Sequence, residues 1–127
     1  YIPKQIPEKY YGNKEYKLNI LFNNRKKVRK SKQKLYETLQ KRSTQMLFRI
    51  LEGNGKALYL IGLNDNGKNI GINKEDLFKS IKNLKSMCKI INAHIKSIRI
   101  YNGEEGYIGS IRIIMNKELI DSKKFNL

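Results

Sequence analysis

The sequence predicts an α+β fold: two helices on one face of a mainly antiparallel sheet, in the order β-α-β-β-α-β-β. This is a ferredoxin-like arrangement with an added hairpin strand. Three observations predict it. Apolar residues recur at three-to-four spacing in two stretches, from about Lys32 to Leu51 and from Asn73 to about Asn92. Short alternating or apolar segments lie around those stretches. Turn chemistry at Asn66-Gly67 and Asn102-Gly103 divides the segments from one another.

Residues 1–14 form an N-terminal arm with Pro3, Pro7 and two tyrosines, Tyr10 and Tyr11. Proline restricts itself and the residue before it, so the arm is expected to be extended or irregular. Residues 15–115 make a single α+β domain. Its first strand is Glu15–Phe22, where Tyr16, Leu18, Ile20 and Phe22 alternate on one face. A basic linker follows, then the first helix, in which Leu35, Leu39, Arg42, Met46 and Ile50 recur with neighbours Tyr36, Ser43 and Leu47. Gly53 is the expected left-handed stop. Asn66-Gly67 between Leu58-Tyr59-Leu60-Ile61 and Ile70-Gly71-Ile72 predicts a hairpin with a type I′ turn, its strands near Ala57–Leu63 and Asn69–Ile72. Asn73 caps the second helix, with Asp76 three residues on. Leu77, Ile81, Leu84, Cys88 and Ile91, flanked by Phe78 and Met87, are its buried side. Strands at Lys96–Tyr101 and Tyr107–Met115 flank a turn at 102–106. Residues 116–127 read as a polar tail.

Composition bounds the function. One domain of 127 residues, 39% hydrophobic and 30% charged, is expected to be globular. No apolar run is long enough for a membrane span and no signal peptide is visible. A single cysteine excludes an internal disulfide and fits a reducing, cytoplasmic setting. A chain that begins with Tyr1 is read as part of a longer protein. The net charge of +16 with a pI near 10 predicts attraction to polyanions such as RNA or the ribosome. Six arginines stand against 21 lysines, and Lys, Asn and Ile share AT-rich codons, so genomic bias supplies part of that charge.

Catalytic chemistry finds little support. His94, the only histidine, has no Cys, Asp or Glu at ligand spacing. Cys88 lies on an apolar helix side, where a structural thiol is expected. No paired carboxylates are placed for acid–base work. Gly62–Lys68 matches the spacing G-x-x-x-x-G-K, but Asn69 replaces the Ser or Thr that a phosphate loop needs for magnesium, and the following residues read as extended. A nucleotide site there stands as a rival reading to the hairpin. The candidate nucleic-acid residues are cationic or aromatic. Arg25, Lys26, Lys27, Arg29, Lys30, Lys32 and Lys34 form the basic linker, which reads equally as a phosphate contact or a solvated insertion. Arg99, Tyr101 and Arg112, near Ser110, form a second set on the outer face of the last hairpin, where such side chains stack bases. Lys82, Lys85 and Lys89 are expected on a solvated helix face.

An ordered series of motifs carries a family resemblance. It runs Glu15-Tyr16-Lys17-Leu18, then Thr44-Gln45-Met46-Leu47-Phe48-Arg49-Ile50, then Glu52-Gly53-x-Gly55-x-Ala57-x-Tyr59-x-Ile61-Gly62. Asp65-Asn66-Gly67-x-x-Ile70-Gly71 and Ser80-Ile81-Lys82-Asn83-Leu84-Lys85-Ser86-Met87 continue it. From about Glu15 to Tyr101 the chain resembles the N-terminal region of the GTP-binding protein 1/2 family, translational GTPases related to elongation factor 1-alpha. The resemblance implies a parent protein that binds GTP with magnesium in a following GTPase domain and works with RNA or ribosomes in translation or mRNA turnover. It implies no cofactor and no catalytic residue in this chain. The expected role is thus a non-catalytic accessory domain that contacts RNA or the ribosome or positions the GTPase domain. The alternative is a structural or protein-interaction domain that binds no nucleic acid. The Arg25–Lys34 linker departs from the family pattern, which is shorter and less cationic there.

Overall fold

The computed structural model describes residues 5–9, 11–22 and 32–125, with side chains as far as 121. Seven elements follow one another: β1 (Lys14–Lys17), α1 (Lys32–Glu52), β2 (Lys56–Ile61), α2 (Lys74–Ile91), β3 (Ala93–Asn102), β4 (Tyr107–Met115) and α3 (Lys117–Phe125). The strands form one sheet in the order β1-β2-β4-β3. The β1–β2 pair is parallel, as a strand pair joined by a crossover helix must be. The β2–β4 and β3–β4 pairs are antiparallel. The expected α+β class, with two helices on one face of a mainly antiparallel sheet, is what the chain forms.

Alternation along the strands builds the main core. Ala57, Tyr59 and Ile61 of β2 and Ile111, Ile113 and Met115 of β4 face the helices and are buried there. Met46 and Ile50 of α1 and Leu77, Ile81, Leu84, Met87, Cys88 and Ile91 of α2 close over them. On α2 the predicted buried stripe is the observed one, except that Phe78 remains 51% exposed. Asn73 caps this helix as expected: its Oδ1 accepts from the Asp76 N–H at 2.8 Å, and Asn92 ends it at φ 59°.

β3 carries a β-bulge between Ile95 and Ser97. Ala93 and Ile95 are apolar two apart, but the next apolar residues are Ile98 and Ile100. Strict alternation would send those two isoleucines to one face and Ile95 to the other. One extra residue puts Ile98 and Ile100 in register with Ile111 and Gly109, where they remain 40% and 49% exposed, and puts Ser97, Arg99 and Tyr101 on the opposite face.

Several expectations differ from what forms. The first strand ends at Lys17 rather than Phe22. Beyond it, the Ile20 N–H donates to Ser80 Oγ at 2.9 Å and the Ile20 carbonyl accepts from Asn83 Nδ2 at 2.7 Å. Side chains of α2 therefore take the hydrogen bonds that a longer ladder would need. Leu18 is exposed, while Ile20 turns into the helix-side core. Helix α1 stops one residue later than expected, with Asn54 rather than Gly53 in the left-handed conformation, at φ 52°. The Gly55 N–H reaches the Ile50 carbonyl at 2.9 Å and the Asn54 N–H the Leu51 carbonyl at 3.2 Å, a Schellman pattern. Gly53 is required for space instead, because a Cβ there would sit 1.8 Å from the Lys56 carbonyl oxygen.

The Asn66-Gly67 hairpin is reduced to one antiparallel bridge, Leu63–Asn69, and its type I′ turn does not form. A type I′ turn needs positive φ at both central residues, and here Gly67 has it at 81° but Asn66 does not. The turn runs from Asn64 to Gly67, with the Gly67 N–H on the Asn64 carbonyl at 2.9 Å. Asn64 Oδ1 also accepts from the N–H groups of Asn66 and Lys68, at 3.0 and 3.1 Å. Beyond it, 69–72 stays beside the end of β2 only through the Leu63–Asn69 bridge and a Gly71 N–H to Gly62 carbonyl bond of 2.8 Å, and docks on the β3–β4 turn. Ile72 and Tyr107 exchange backbone bonds of 2.9 and 2.7 Å, and the N–H groups of Glu104 and Glu105 reach the carbonyls of Asn69 and Ile70. The expected strand therefore contributes only the isolated bridges Leu63–Asn69 and Ile72–Tyr107. The polar tail likewise holds a helix, α3, whose Ile120 is buried in the main core.

Candidate nucleic-acid interface

The sheet face away from the helices divides into two halves. Pairing places its residues in rows across the strands: Lys56, Ile114 and His94; then Lys14, Leu58, Arg112 and Ser97; then Tyr16, Leu60, Ser110 and Arg99; then Ile108 and Tyr101. At the last two rows Tyr16, Leu60 and Ile108 are buried together with Leu63, which enters from the loop after β2. Leu58 and Tyr101 pack against this second cluster.

The first two rows stay open. Lys14, Lys56, Lys96 and Arg112 surround a cleft of about 210 Å³, with Leu58 and Ile114 as half-buried apolar lining. Lys96 occupies the bulge, where it joins its neighbour Ser97 at this cleft side of β3. Arg99 adds a fifth exposed cation one row on. No carboxylate occupies any of the four rows, because the one acid of β1, Glu15, points to the helix side. None of the five cations forms an ion pair with a described side chain. The face is cationic, uncompensated and partly apolar.

The residues singled out in the sequence distribute unevenly over this surface. Arg99, Tyr101 and Arg112 share the face, with Arg99 opposite Ser110, Arg112 opposite Ser97 and Tyr101 opposite Ile108. Tyr101 is half-buried against the second cluster. Lys32 and Lys34 are exposed at the start of α1, in the helical layer. Arg25, Lys26, Lys27, Arg29 and Lys30 lie outside the described residues. Lys14, Lys56 and Lys96 were not singled out. Their convergence depends on the parallel register of β1 with β2 and on the bulge, and only the I-x-x-I-x-I spacing of β3 hinted at the latter.

Behind the sheet, Glu15 anchors the N-terminal segment through Arg49 of α1, which is 3% exposed. Arg49 Nε donates to Glu15 Oε1 at 2.8 Å, and its terminal nitrogens donate to the carbonyls of Lys9, Tyr11 and Gly12 at 2.7, 2.9 and 3.1 Å. Glu8 Oε2 lies 3.9 Å from the guanidinium and also accepts from the Tyr16 N–H. Four guanidinium hydrogen bonds are thereby made, with Glu8 as a second, more distant carboxylate beside the group. Burial, reinforced by the nearby Glu15, raises the Glu8 carboxyl above its ordinary value of 4.5, against the lowering effect of the Tyr16 N–H and Arg49. Arg49 and Glu15 belong to the motifs that carry the family resemblance, and here their work is structural.

The glycine-rich stretch offers no phosphate cradle. A phosphate loop needs free amides leading into a helix. The N–H groups of Asn66, Gly67, Lys68, Ile70 and Gly71 are all taken by Asn64, Lys68 and Gly62. Lys68 reaches Glu104 at 3.8 Å, and α2 begins only at Lys74. Cys88 is buried with its sulfur 3.8 Å from the Met46 sulfur, and burial pushes its thiol up to about 11, far from a nucleophile's range. Among the described residues no three His, Cys, Asp or Glu side chains gather to hold a metal. No helix among them is long and apolar enough to cross a membrane.

These features define an α+β domain with one helical face and one cationic sheet face. Comparison with curated proteins places it. The chain is 36% identical over 99 residues to GTP-binding protein 2 of mouse and of human, a match spanning 78% of this chain. Over that span the chain is similar to a domain of the GTP-binding protein 1/2 family. The matched region spans 14% of the length of those relatives. No protein-family profile matches the chain, and no solved structure does.

Proposed function

We propose that this chain is a non-catalytic accessory domain of a GTPase, supplying contacts to RNA or the ribosome while a separate domain of the parent protein binds GTP and magnesium. The proposed neighbours are that GTPase domain and a polyanion, in a cytoplasmic, translation-related setting. The observation that carries the reading is the uncompensated sheet face, where Lys14, Lys56, Lys96, Arg99 and Arg112 converge with no carboxylate among them. Neutralising several phosphates at once is what such a surface does, and salt weakens the association steeply. Kinship with GTP-binding protein 2 supports the parent's class. The occupied amides of the 62–71 loop support assigning GTP to another part of the parent.

Removing the domain from the parent tests this. GTP affinity and basal hydrolysis are expected to persist while ribosome or RNA association drops and loses its salt sensitivity. Loss of GTP binding together with the domain, or saturable GTP binding to the domain alone that disappears in Lys68→Ala, overturns the reading.

A further inference from the structure

We infer that the cleft between Lys14, Lys56, Lys96 and Arg112 is a site for single-stranded RNA, with a base seated on Leu58 and Ile114 and the flanking phosphates on the cationic rim. This rests on the RNA-contact reading above and gives it a location and a ligand class.

The sheet geometry carries the argument. Neighbouring strands lie about 4.8 Å apart and same-face residues along a strand about 7 Å apart, so the two open rows make a compact, continuous surface. Lys14 and Arg112 stand on strands β1 and β4, on either side of Leu58 in β2, within one row. Lys56 and Ile114 extend the same arrangement one row on, and the bulge brings Lys96 to the β3 side. Cations thus border an apolar strip rather than forming a cluster of their own. A polyanion with no apolar part leaves that strip unused. A duplex keeps its bases stacked inside, and its phosphates alone would meet the rim. An unpaired strand has both parts to offer: bases free to leave the stack and phosphates on each side of them. Arg99, one row on, continues the cationic path across β3 toward Tyr101. The volume of about 210 Å³ is enough for a base.

Competing readings put the ligand elsewhere. The Lys82, Lys85 and Lys89 face of α2 is also exposed, but it lies on a helix rather than around the cleft of the open sheet face. Charge alone would make the two surfaces equivalent, and the apolar lining of Leu58 and Ile114 between cations distinguishes the sheet face.

The test uses the intact chain with an oligouridine of roughly a dozen nucleotides, within the usual range of single-strand sites, and an RNA duplex of equal length. The oligouridine is expected to bind more tightly than the duplex. Lys14→Ala/Lys56→Ala/Lys96→Ala is expected to weaken oligouridine binding about tenfold or more, whereas Lys82→Ala/Lys85→Ala/Lys89→Ala, of the same net charge, changes it less than about threefold. Equal losses in the two triple variants, a preference for duplex, or equal competition by polyglutamate overturns the cleft site and leaves the broader RNA contact standing. Absence of salt-sensitive binding to either RNA overturns both.

Discussion

At the scale of single residues, Arg49 is the side chain on which the N-terminal segment depends. Four of its donors meet Glu15 and three backbone carbonyls, so no lysine can replace it: an ammonium has three donors and no planar fork. Arg49→Met, which leaves Glu15 buried without its partner, is expected to cost about 3–5 kcal/mol in denaturant unfolding. A loss below about 1 kcal/mol would show that the pair is not buried as described. Glu8 predicts a pH dependence with a definite sign. Its carboxyl is raised in the folded state, so the folded protein holds that proton more tightly than the unfolded chain does. The contribution is complete below the ordinary value of 4.5 and is lost as pH rises through the raised one. Glu8→Gln is expected to abolish that part of the pH profile, measured by unfolding at a series of pH values. A variant profile that still falls over the same window would contradict the assignment. None of this network was legible in the sequence, where Arg49 lay among apolar helix residues and Glu15 at the head of a strand. The two are 34 positions apart, and the parallel β1–β2 crossover sets their meeting.

Elements with local causes were read correctly, and those decided by distant partners were not. The periodicity and Asn73 cap of α2 are local, and the helix forms from Lys74 to Ile91. The 102–106 turn is also local and joins β3 to β4 as expected. The 62–72 segment has the strongest hairpin signal in the chain but keeps only the Leu63–Asn69 bridge of it, because Asn64 captures its amides and the β3–β4 turn offers a second backbone to pair with. Its glycines serve that docking. Gly71 has φ 86°, and a Cβ there would lie 2.6 Å from the Gly106 carbonyl carbon; a Cβ on Gly106 would lie 2.5 Å from the Ile72 oxygen. Gly71→Ala is expected to destabilise the fold by more than about 1 kcal/mol and to speed amide exchange at Glu104, Glu105 and Tyr107. Unchanged exchange at those three amides would mean that the loop does not dock there. The bulge in β3 belongs to the same scale: one residue inserted after Ile95 decides which face carries Arg99 and Tyr101.

For the whole molecule, the division of labour follows from the two sheet faces. The helix side buries the apolar residues that stabilise the domain, and the other side is half sealed by Tyr16, Leu60, Leu63 and Ile108 and half open and cationic. A net charge of +16 predicted a polyanion partner but no location for it. Of the cations now placed on the open face, Arg99 and Arg112 were legible as outer-hairpin residues. Lys14, Lys56 and Lys96 were not, since they come from three strands brought together by pairing. The most direct measurement is the dependence of oligouridine affinity on salt for the intact chain beside Lys14→Ala/Lys56→Ala/Lys96→Ala. Each phosphate contact to a single strand contributes about 0.7 to the slope of log affinity against log salt, so losing three contacts is expected to flatten it by about two. A slope that is the same in both proteins would contradict the claim that this face meets the RNA.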